Sequence, residues 1–188
     1  MATFITLNKP NLSIKKQILA VIFACGFAVV LPQFFHLLGK LTGTGSQLAS
    51  LFSPMHFPVV FVGLIGGPIV GAITGIVAPL ANFMLTGMPI LAKLPLMIVE
   101  LFGYGVCAGI MRNLRINNFA KVGITLFFGR FLRFLAVIFL VLVLNKEMSI
   151  FSIWLSIPKC LPGIIFQILI IPFIVKKYDS TENLVSNS

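Results

Sequence analysis

Four ionisable side chains lie inside otherwise apolar stretches of this sequence. They are Glu100, Arg130, Arg133 and Lys159. A charge near the middle of a bilayer costs at least a few kcal/mol, so such groups usually face a cavity or a partner. Arg130 and Arg133 are three residues apart, which places them on one face of a helix. Lys159 lies between two prolines, which free backbone carbonyls and widen a helix bundle. All four are predicted at comparable depth in a membrane.

The balance of these four charges is one negative against three positive. An ion pair between Glu100 and one arginine would act as a structural link within the bundle, since buried charges are usually paired. Two cations would then remain for a carboxylate or phosphate of a ligand, and arginine is suited to bidentate contact with either group. The residues therefore predict a site for an anionic small molecule, with the purely structural ion pair as the alternative.

Four further polar residues are predicted at the outer ends of the apolar stretches, and they are the remaining candidates for substrate binding. They are His56, Asn82, Lys93 and Trp154. His56 also fits a local role at the start of a helix. The outer connection between Gly39 and Ser53 is rich in glycine and threonine, and such a loop could close over a site as a lid.

The sequence lacks the motifs of an enzyme. It has no Walker-type glycine loop, no paired acidic residues and no Ser-His-acid set at a plausible depth. Cys25, Cys107 and Cys160 lie in apolar stretches without paired spacing or nearby His and Asp, so neither a disulfide nor a metal site is expected. We expect no catalytic residues and no cofactor in this chain. Transport against a gradient would take its energy from partner subunits or from an ion gradient.

The composition indicates a membrane protein. The 188 residues are 59% hydrophobic and 10% charged, with a mean hydropathy of +1.09. Ordinary soluble domains carry roughly a quarter charged residues. The net charge of +10 comes from 14 Lys and Arg against only 4 Asp and Glu, so it reflects missing acids. A soluble enzyme and a nucleic-acid-binding domain are thereby excluded.

Six apolar segments are predicted to form membrane helices, because a span needs about 20 apolar residues and backbone in lipid must be helical. The stretch from Ser53 to Thr86 is too long for one span and is broken at Gly66, Gly67 and Pro68. The predicted spans are 17–38, 54–66, 68–86, 91–111, 119–144 and 150–175, and a short polar tail at 178–188 is expected to be disordered. We therefore predict an all-α membrane protein, a compact bundle of six transmembrane helices.

The distribution of basic residues supports six spans with both termini in the cytoplasm, because Lys and Arg in short loops concentrate on that side. With this topology the outer side holds only Lys40, Lys93 and Lys146. The cytoplasmic side holds Lys9, Lys15, Lys16, Arg112, Arg115, Lys121, Lys176 and Lys177. With five spans instead of six, the basic cluster from Arg112 to Lys121 and the C-terminal lysines would lie on the outer side of the membrane.

Two ladders of small residues recur at every fourth position. One is Ala20, Ala24 and Ala28, and the other is Gly63, Gly67, Gly71 and Gly75. Such faces let helices approach closely in lipid. For the glycines, packing within the bundle is the favoured interpretation. For the alanines, internal packing and docking on another membrane subunit are equally open.

With these features the chain resembles the membrane-embedded substrate-binding S components of energy-coupling factor (ECF) vitamin transporters. The likeness spans nearly the whole chain. It rests on the six-span layout, the alanine ladder and the segment SPMHFPVVFVGLIGGPIVGAITGIVAPLANFMLTGMP before the Glu100 helix. It implies a non-enzymatic subunit of a prokaryotic plasma membrane that binds a vitamin outside and delivers it by reorientation. The implied partners are a coupling membrane subunit, docked on the alanine ladder, and two cytosolic ATPases that consume ATP.

The resemblance indicates the substrate less strongly than the fold. The SPMH segment is most similar to members assigned to pantothenate, and an anionic vitamin agrees with the positive surplus. Cobalamin, riboflavin and folate are the alternative vitamins. A stand-alone secondary transporter with Glu100 as its proton site is the alternative function.

Overall fold

The computed structural model describes residues 13–45, 47–52, 54–143 and 151–186, with side chains described except at 48–50, 143, 151–159 and 180–186. This part of the chain is helical, which confirms the predicted all-α class. Its helices are α1 (Ile14–Leu41), α2 (Gln47–Phe52), α3 (His56–Gly66), α4 (Pro68–Thr86), α5 (Leu94–Met111), α6 (Asn118–Val143) and α7 (Phe151–Ser186).

Among these helices, α1, α4, α5, α6 and α7 are long and apolar enough to cross a membrane. The remaining predicted span, 54–66, is represented by α3, which has only 11 residues. At 1.5 Å per residue it rises about 16 Å, roughly half of the hydrocarbon thickness of a bilayer. α3 ends at Gly66 and is capped by Gly67, whose φ of +91° favours glycine, and Pro68 then begins α4. Five candidate spans and one short buried helix therefore occupy the six predicted segments.

Two segments differ from the prediction made from the sequence: the stretch between α1 and α3, and the C-terminal end of the chain. The stretch predicted as a flexible outer loop contains α2, and Gly163 of α7 lies against the main-chain carbonyls of Leu51 and Phe52. At the other end, α7 continues to Ser186 through most of the segment predicted as a disordered tail. Neither glycine nor proline follows Pro172, so the sequence supplies no helix breaker there.

The centre of the bundle is α5, which contacts α3, α4 and α6. Its apolar residues Leu101, Tyr104 and Ala108 are buried in one core with residues of α3 and α7. Three glycines on the same helix allow neighbouring backbones to approach it closely. A Cβ atom on Gly105 would overlap the backbone of Gly71 on α4. This central, closely packed helix is the one that carries Glu100.

Most residues of the two ladders of small residues pack inside the bundle. In the glycine ladder, a Cβ on Gly75 would collide with the backbone of α5. In the alanine ladder, Ala28 is fully buried, and Ala24 is clustered with Val62 of α3 and Val70 of α4. Ala20 is half-buried beside the same cluster. Internal packing therefore accounts for Gly63, Gly71 and Gly75 and for two of the three alanines, whereas Gly67 forms the turn before α4.

Candidate functional site

Glu100 is the centre of a buried polar cluster. It lies near the middle of α5, and none of its side chain is exposed. A carboxylate without hydration needs charged or hydrogen-bonding partners, because an isolated buried charge is prohibitively costly. In this protein the partners come from α5 itself and from α6.

Both predicted arginines contact this carboxylate from α6. Arg133 donates from Nη1 to Glu100 Oε2 over 2.6 Å, a short charge-assisted hydrogen bond. Arg130 Nε lies 3.3 Å from Oε1, close enough for ionic attraction but not aligned for a hydrogen bond. The side chain of Arg130 is 18% exposed and that of Arg133 is 28% exposed, whereas the carboxylate of Glu100 is not exposed at all. The accessible face of the cluster is therefore positive.

Tyr104 completes the cluster and was not among the residues predicted from the sequence. Its hydroxyl donates to Glu100 Oε1 over 2.8 Å, and its ring is buried. The sequence did contain a signal for this contact, because residues 100 and 104 are four apart and so adjacent on one helix face. His56 packs against this ring, with 5.1 Å between the ring centroids. It is buried as the first residue of α3, so it is both a helix-start residue and a neighbour of the cluster.

The described cluster has a net positive charge of one, because the single carboxylate of Glu100 contacts both Arg130 and Arg133. The sequence predicted two cations beyond one ion pair, an arginine and Lys159. Lys159, the other predicted cation, lies on the part of α7 outside the described side chains, and so does Trp154. The cluster as described can attract one anionic group, chiefly through guanidinium N–H groups that Glu100 does not occupy.

The remaining predicted residues lie in separate environments. Asn82 is buried on α4, where the Thr86 hydroxyl lies 2.7 Å from its main-chain oxygen and 3.2 Å from its Oδ1. Lys93 is exposed at the N-terminal end of α5, where it is the N-cap residue. The described contacts therefore bring together Glu100, Arg130, Arg133 and His56. In the described residues, no group of three or more His, Cys, Asp or Glu side chains is placed to hold a metal ion.

The hydrogen bond from Tyr104 is expected to contribute measurably to stability. Tyr104→Phe keeps the buried ring but removes a hydroxyl bonded to a carboxylate, a loss of about 1.5–3 kcal/mol. Thermal unfolding in detergent should show a lower midpoint for this variant. In a Glu100→Gln background the same change should cost clearly less, since its charged acceptor is gone. An equal loss in both backgrounds would mean that the hydroxyl does not act through Glu100.

Comparison with known proteins identifies a family for almost the whole chain. The model of the family described as ECF transporter, substrate-specific component, matches residues 15–175. No curated protein and no solved structure matches the chain. The matched region begins at the second residue of α1 and ends within α7, so it includes α2 to α6, most of the first and last candidate spans, and the Glu100 cluster.

Proposed function

Because the chain belongs to the family of ECF transporter substrate-specific components, we propose that it captures a vitamin at the outer face of a prokaryotic plasma membrane. It then delivers the vitamin by reorienting on a coupling subunit. Members of this family are transporter subunits, not enzymes. Five helices suited to crossing a membrane support a multi-pass protein. Six spans with both termini in the cytoplasm remain our proposed topology, with α3 as the short second span.

The observation that carries the proposed binding role is the positive face over Glu100. Two arginines are partly exposed above a fully buried carboxylate, so an approaching anion meets guanidinium groups first. Glu100 holds both side chains in place, which reduces the entropy lost when a ligand binds. One carboxylate on the ligand would compensate the net positive charge. Asn82, Lys93, Trp154 and Lys159 remain proposed as further contacts.

Pantothenate is the substrate that we propose first. It carries one carboxylate, which matches the single net positive charge of the described cluster. Its amide and two hydroxyl groups also offer the few specific polar contacts by which a ligand site between apolar helices fixes its ligand. Cobalamin, riboflavin and folate are the alternatives that a binding assay must include.

The positive face formed by Arg130 and Arg133 predicts how mutation changes ligand binding. In the purified chain, Arg133→Gln should weaken radiolabelled pantothenate binding by about 2 kcal/mol or more, a factor of about 30, because a buried charged contact is lost. Arg130→Gln should act in the same direction. Each variant leaves Glu100 with one arginine, so the fold should persist.

Two controls make this experiment specific. Arg115→Gln removes an exposed arginine outside the cluster and should leave binding unchanged. The alcohol analogue of pantothenate, with a hydroxymethyl group in place of the carboxylate, should compete poorly against the labelled vitamin. Equal affinity for acid and alcohol, or full affinity in both cluster variants, would remove the arginines from the site.

A coupling subunit and two ATPases are the proposed partners, since the chain itself contains no nucleotide-binding motif. The proposed docking surface is the alanine ladder on α1. In the structure Ala24 and Ala28 pack against α3 and α4, and only Ala20 is partly open. Docking through this ladder would therefore involve the helix edge around Ala20.

The competing hypothesis of a proton-coupled secondary transporter uses Glu100 as its proton site. In the structure that carboxylate contacts two guanidinium groups and the Tyr104 hydroxyl. Such contacts stabilise the charged form, so proton uptake would first require them to break. The geometry therefore favours the binding subunit over the proton carrier.

A further inference from the structure

One end of the helix bundle carries most of the basic side chains. At this end α5 stops and α6 starts, and Lys121 Nζ of α6 donates to the main-chain oxygen of Arg112 over 3.3 Å. α7 passes the same end, because the rings of Phe119 on α6 and Phe173 on α7 meet edge to face. α1 also starts there, since its alanine ladder clusters with residues that flank the α3–α4 turn, which packs on the last turn of α5. The described cations of this end are Lys15, Lys16, Arg112, Arg115, Lys121, Lys176 and Lys177.

This end has an excess of positive charge that the opposite end lacks. Among the described side chains, its cations are accompanied by one carboxylate, Asp179, and one more acidic residue follows later on α7. The described side chains of the opposite end include two cations, Lys40 and Lys93. Arg112 and Lys121 are buried, so salt screens their charges less than it screens exposed ones. They therefore add to the positive potential around the exposed cations.

On α7, an exposed apolar stripe runs directly into two exposed lysines. Ile165, Leu169 and Phe173 are each four residues apart and are exposed, so they share one face of the helix. Lys176 and Lys177 follow Phe173 by three and four residues, and both are exposed. The stripe therefore changes from apolar to cationic along a single helix face.

The apolar part of this stripe continues onto α6. Phe119 contacts Phe173 with ring centroids 5.8 Å apart, and it is itself 39% exposed. We call the surface formed by the α7 stripe, its two lysines and Phe119 the basic edge. The lysines lie in the last turn of the candidate span Cys160–Asp179, the level at which a membrane helix meets lipid headgroups.

The order of chemical groups along the basic edge matches a phospholipid with a negatively charged headgroup. Acyl chains would cover the apolar stripe, and the phosphate would lie at the lysines beyond it. A soluble acidic protein would satisfy the lysines but could not reach apolar side chains at the depth of the bilayer. A zwitterionic lipid would bring its own cation towards a positive surface.

We propose that the basic edge binds an anionic phospholipid, with its phosphate at Lys176 and Lys177 and its acyl chains along Ile165, Leu169 and Phe173. Clusters of basic residues next to membrane helices attract anionic lipids by roughly a factor of five per residue. The proposal goes beyond vitamin capture and does not depend on it.

The test is a lipid competition on the full chain in detergent micelles. Dioleoylphosphatidylglycerol and dioleoylphosphatidylcholine, which have the same acyl chains, are added in equal amounts, and the bound lipids are counted by native mass spectrometry. We expect the anionic lipid to be retained about tenfold more than the zwitterionic lipid. Equal retention of the two lipids would overturn the proposal.

Paired variants locate the effect. Lys176→Gln with Lys177→Gln should reduce the preference for the anionic lipid to about twofold or less. Lys40→Gln with Lys93→Gln removes the same charge from exposed positions at the opposite end and should leave the preference unchanged. An equal reduction in both double variants would show that net charge, and not the basic edge, selects the lipid, and would refute the assignment. Vitamin binding is expected to survive the α7 double variant, so failure here and failure of the proposed function are separable.

Soluble competitors test the commitment to a lipid on the unaltered chain, so this arm decides even if a variant does not fold. Glycerol phosphate carries the charged group without acyl chains, and polyglutamate represents an acidic protein surface. Neither should displace phosphatidylglycerol when present at a tenfold excess of charge. Displacement by glycerol phosphate would identify a site for a soluble phosphate ester, and displacement by polyglutamate a site for an acidic protein. Either result would contradict a lipid site.

Discussion

Glu100→Gln is expected to reduce the stability of the folded chain by about 3–5 kcal/mol, the cost of breaking a buried ion pair from one side. The substitution keeps the size of the side chain but removes the only carboxylate of the described cluster. Arg130 and Arg133 would then lie close together without a compensating charge. The expected readout is a much lower thermal midpoint in detergent, with a smaller fraction of monodisperse protein.

The companion variants separate charge from packing. Replacing Glu100, Arg130 and Arg133 together by leucine should restore much of the lost stability, because substituting a whole buried ion cluster by apolar residues is often neutral or favourable. The triple variant should nevertheless fail to bind an anionic vitamin. Wild-type stability in Glu100→Gln alone would show that the cluster is not the central link of the bundle.

Gly71→Ala and Gly105→Ala are the second pair of changes with large expected effects. A Cβ on either residue would overlap the backbone of the other, so α4 and α5 would have to separate. Overpacking of this kind typically costs about 1–3 kcal/mol, and more where backbone must move. Thermal unfolding should show a strong loss of stability for each single variant. The loss in the double variant should be smaller than the sum of the two single losses, because α4 and α5 have to separate only once.

Gly26→Ala and Gly123→Ala are the matched controls for this pair. Both glycines lie within helices, and a Cβ on either has no heavy atom within 4 Å outside its own helix segment. Alanine is favoured over glycine in a helix by about 1 kcal/mol. These variants should therefore equal or exceed the unaltered chain in stability. Equal losses in all four variants would contradict this account, because helix propensity favours alanine at each position and only Gly71 and Gly105 lie against a neighbouring backbone.

The helices could largely be predicted from the sequence because apolar length and glycine-proline breaks are local signals. The predicted break at Gly66, Gly67 and Pro68 coincides with the turn between α3 and α4. The predicted segment 54–66 is close to the observed bounds of α3, but hydropathy does not distinguish a short span from a short buried helix. The polarity of residues after Lys177 suggested a tail, yet nothing in that segment opposes the continuation of α7.

The candidate site was partly predictable for a similar reason. Glu100, Arg130 and Arg133 stand out because charge is rare in apolar segments. That one carboxylate would contact both arginines depends on helix rotation and side-chain rotamers, which packing decides. Tyr104 was visible only as a position four residues from Glu100.

The alanine ladder illustrates another limit of sequence patterns. Small residues at every fourth position serve internal packing and docking equally well. Only the structure places Ala24 and Ala28 against α3 and α4. For the glycines internal packing was the favoured interpretation, and the close approach of the α5 backbone at Gly63, Gly71 and Gly75 agrees with it.

The most direct test of the central claim is equilibrium binding of the purified chain to a panel of radiolabelled vitamins without nucleotide or partner subunits. The panel contains pantothenate, riboflavin, folate and cobalamin. We predict saturable binding of one vitamin at a ratio of about one per chain, as expected of a single-site binding subunit. Absence of saturable binding across the panel, in protein that remains folded and monodisperse, would contradict the assignment as a vitamin-binding subunit.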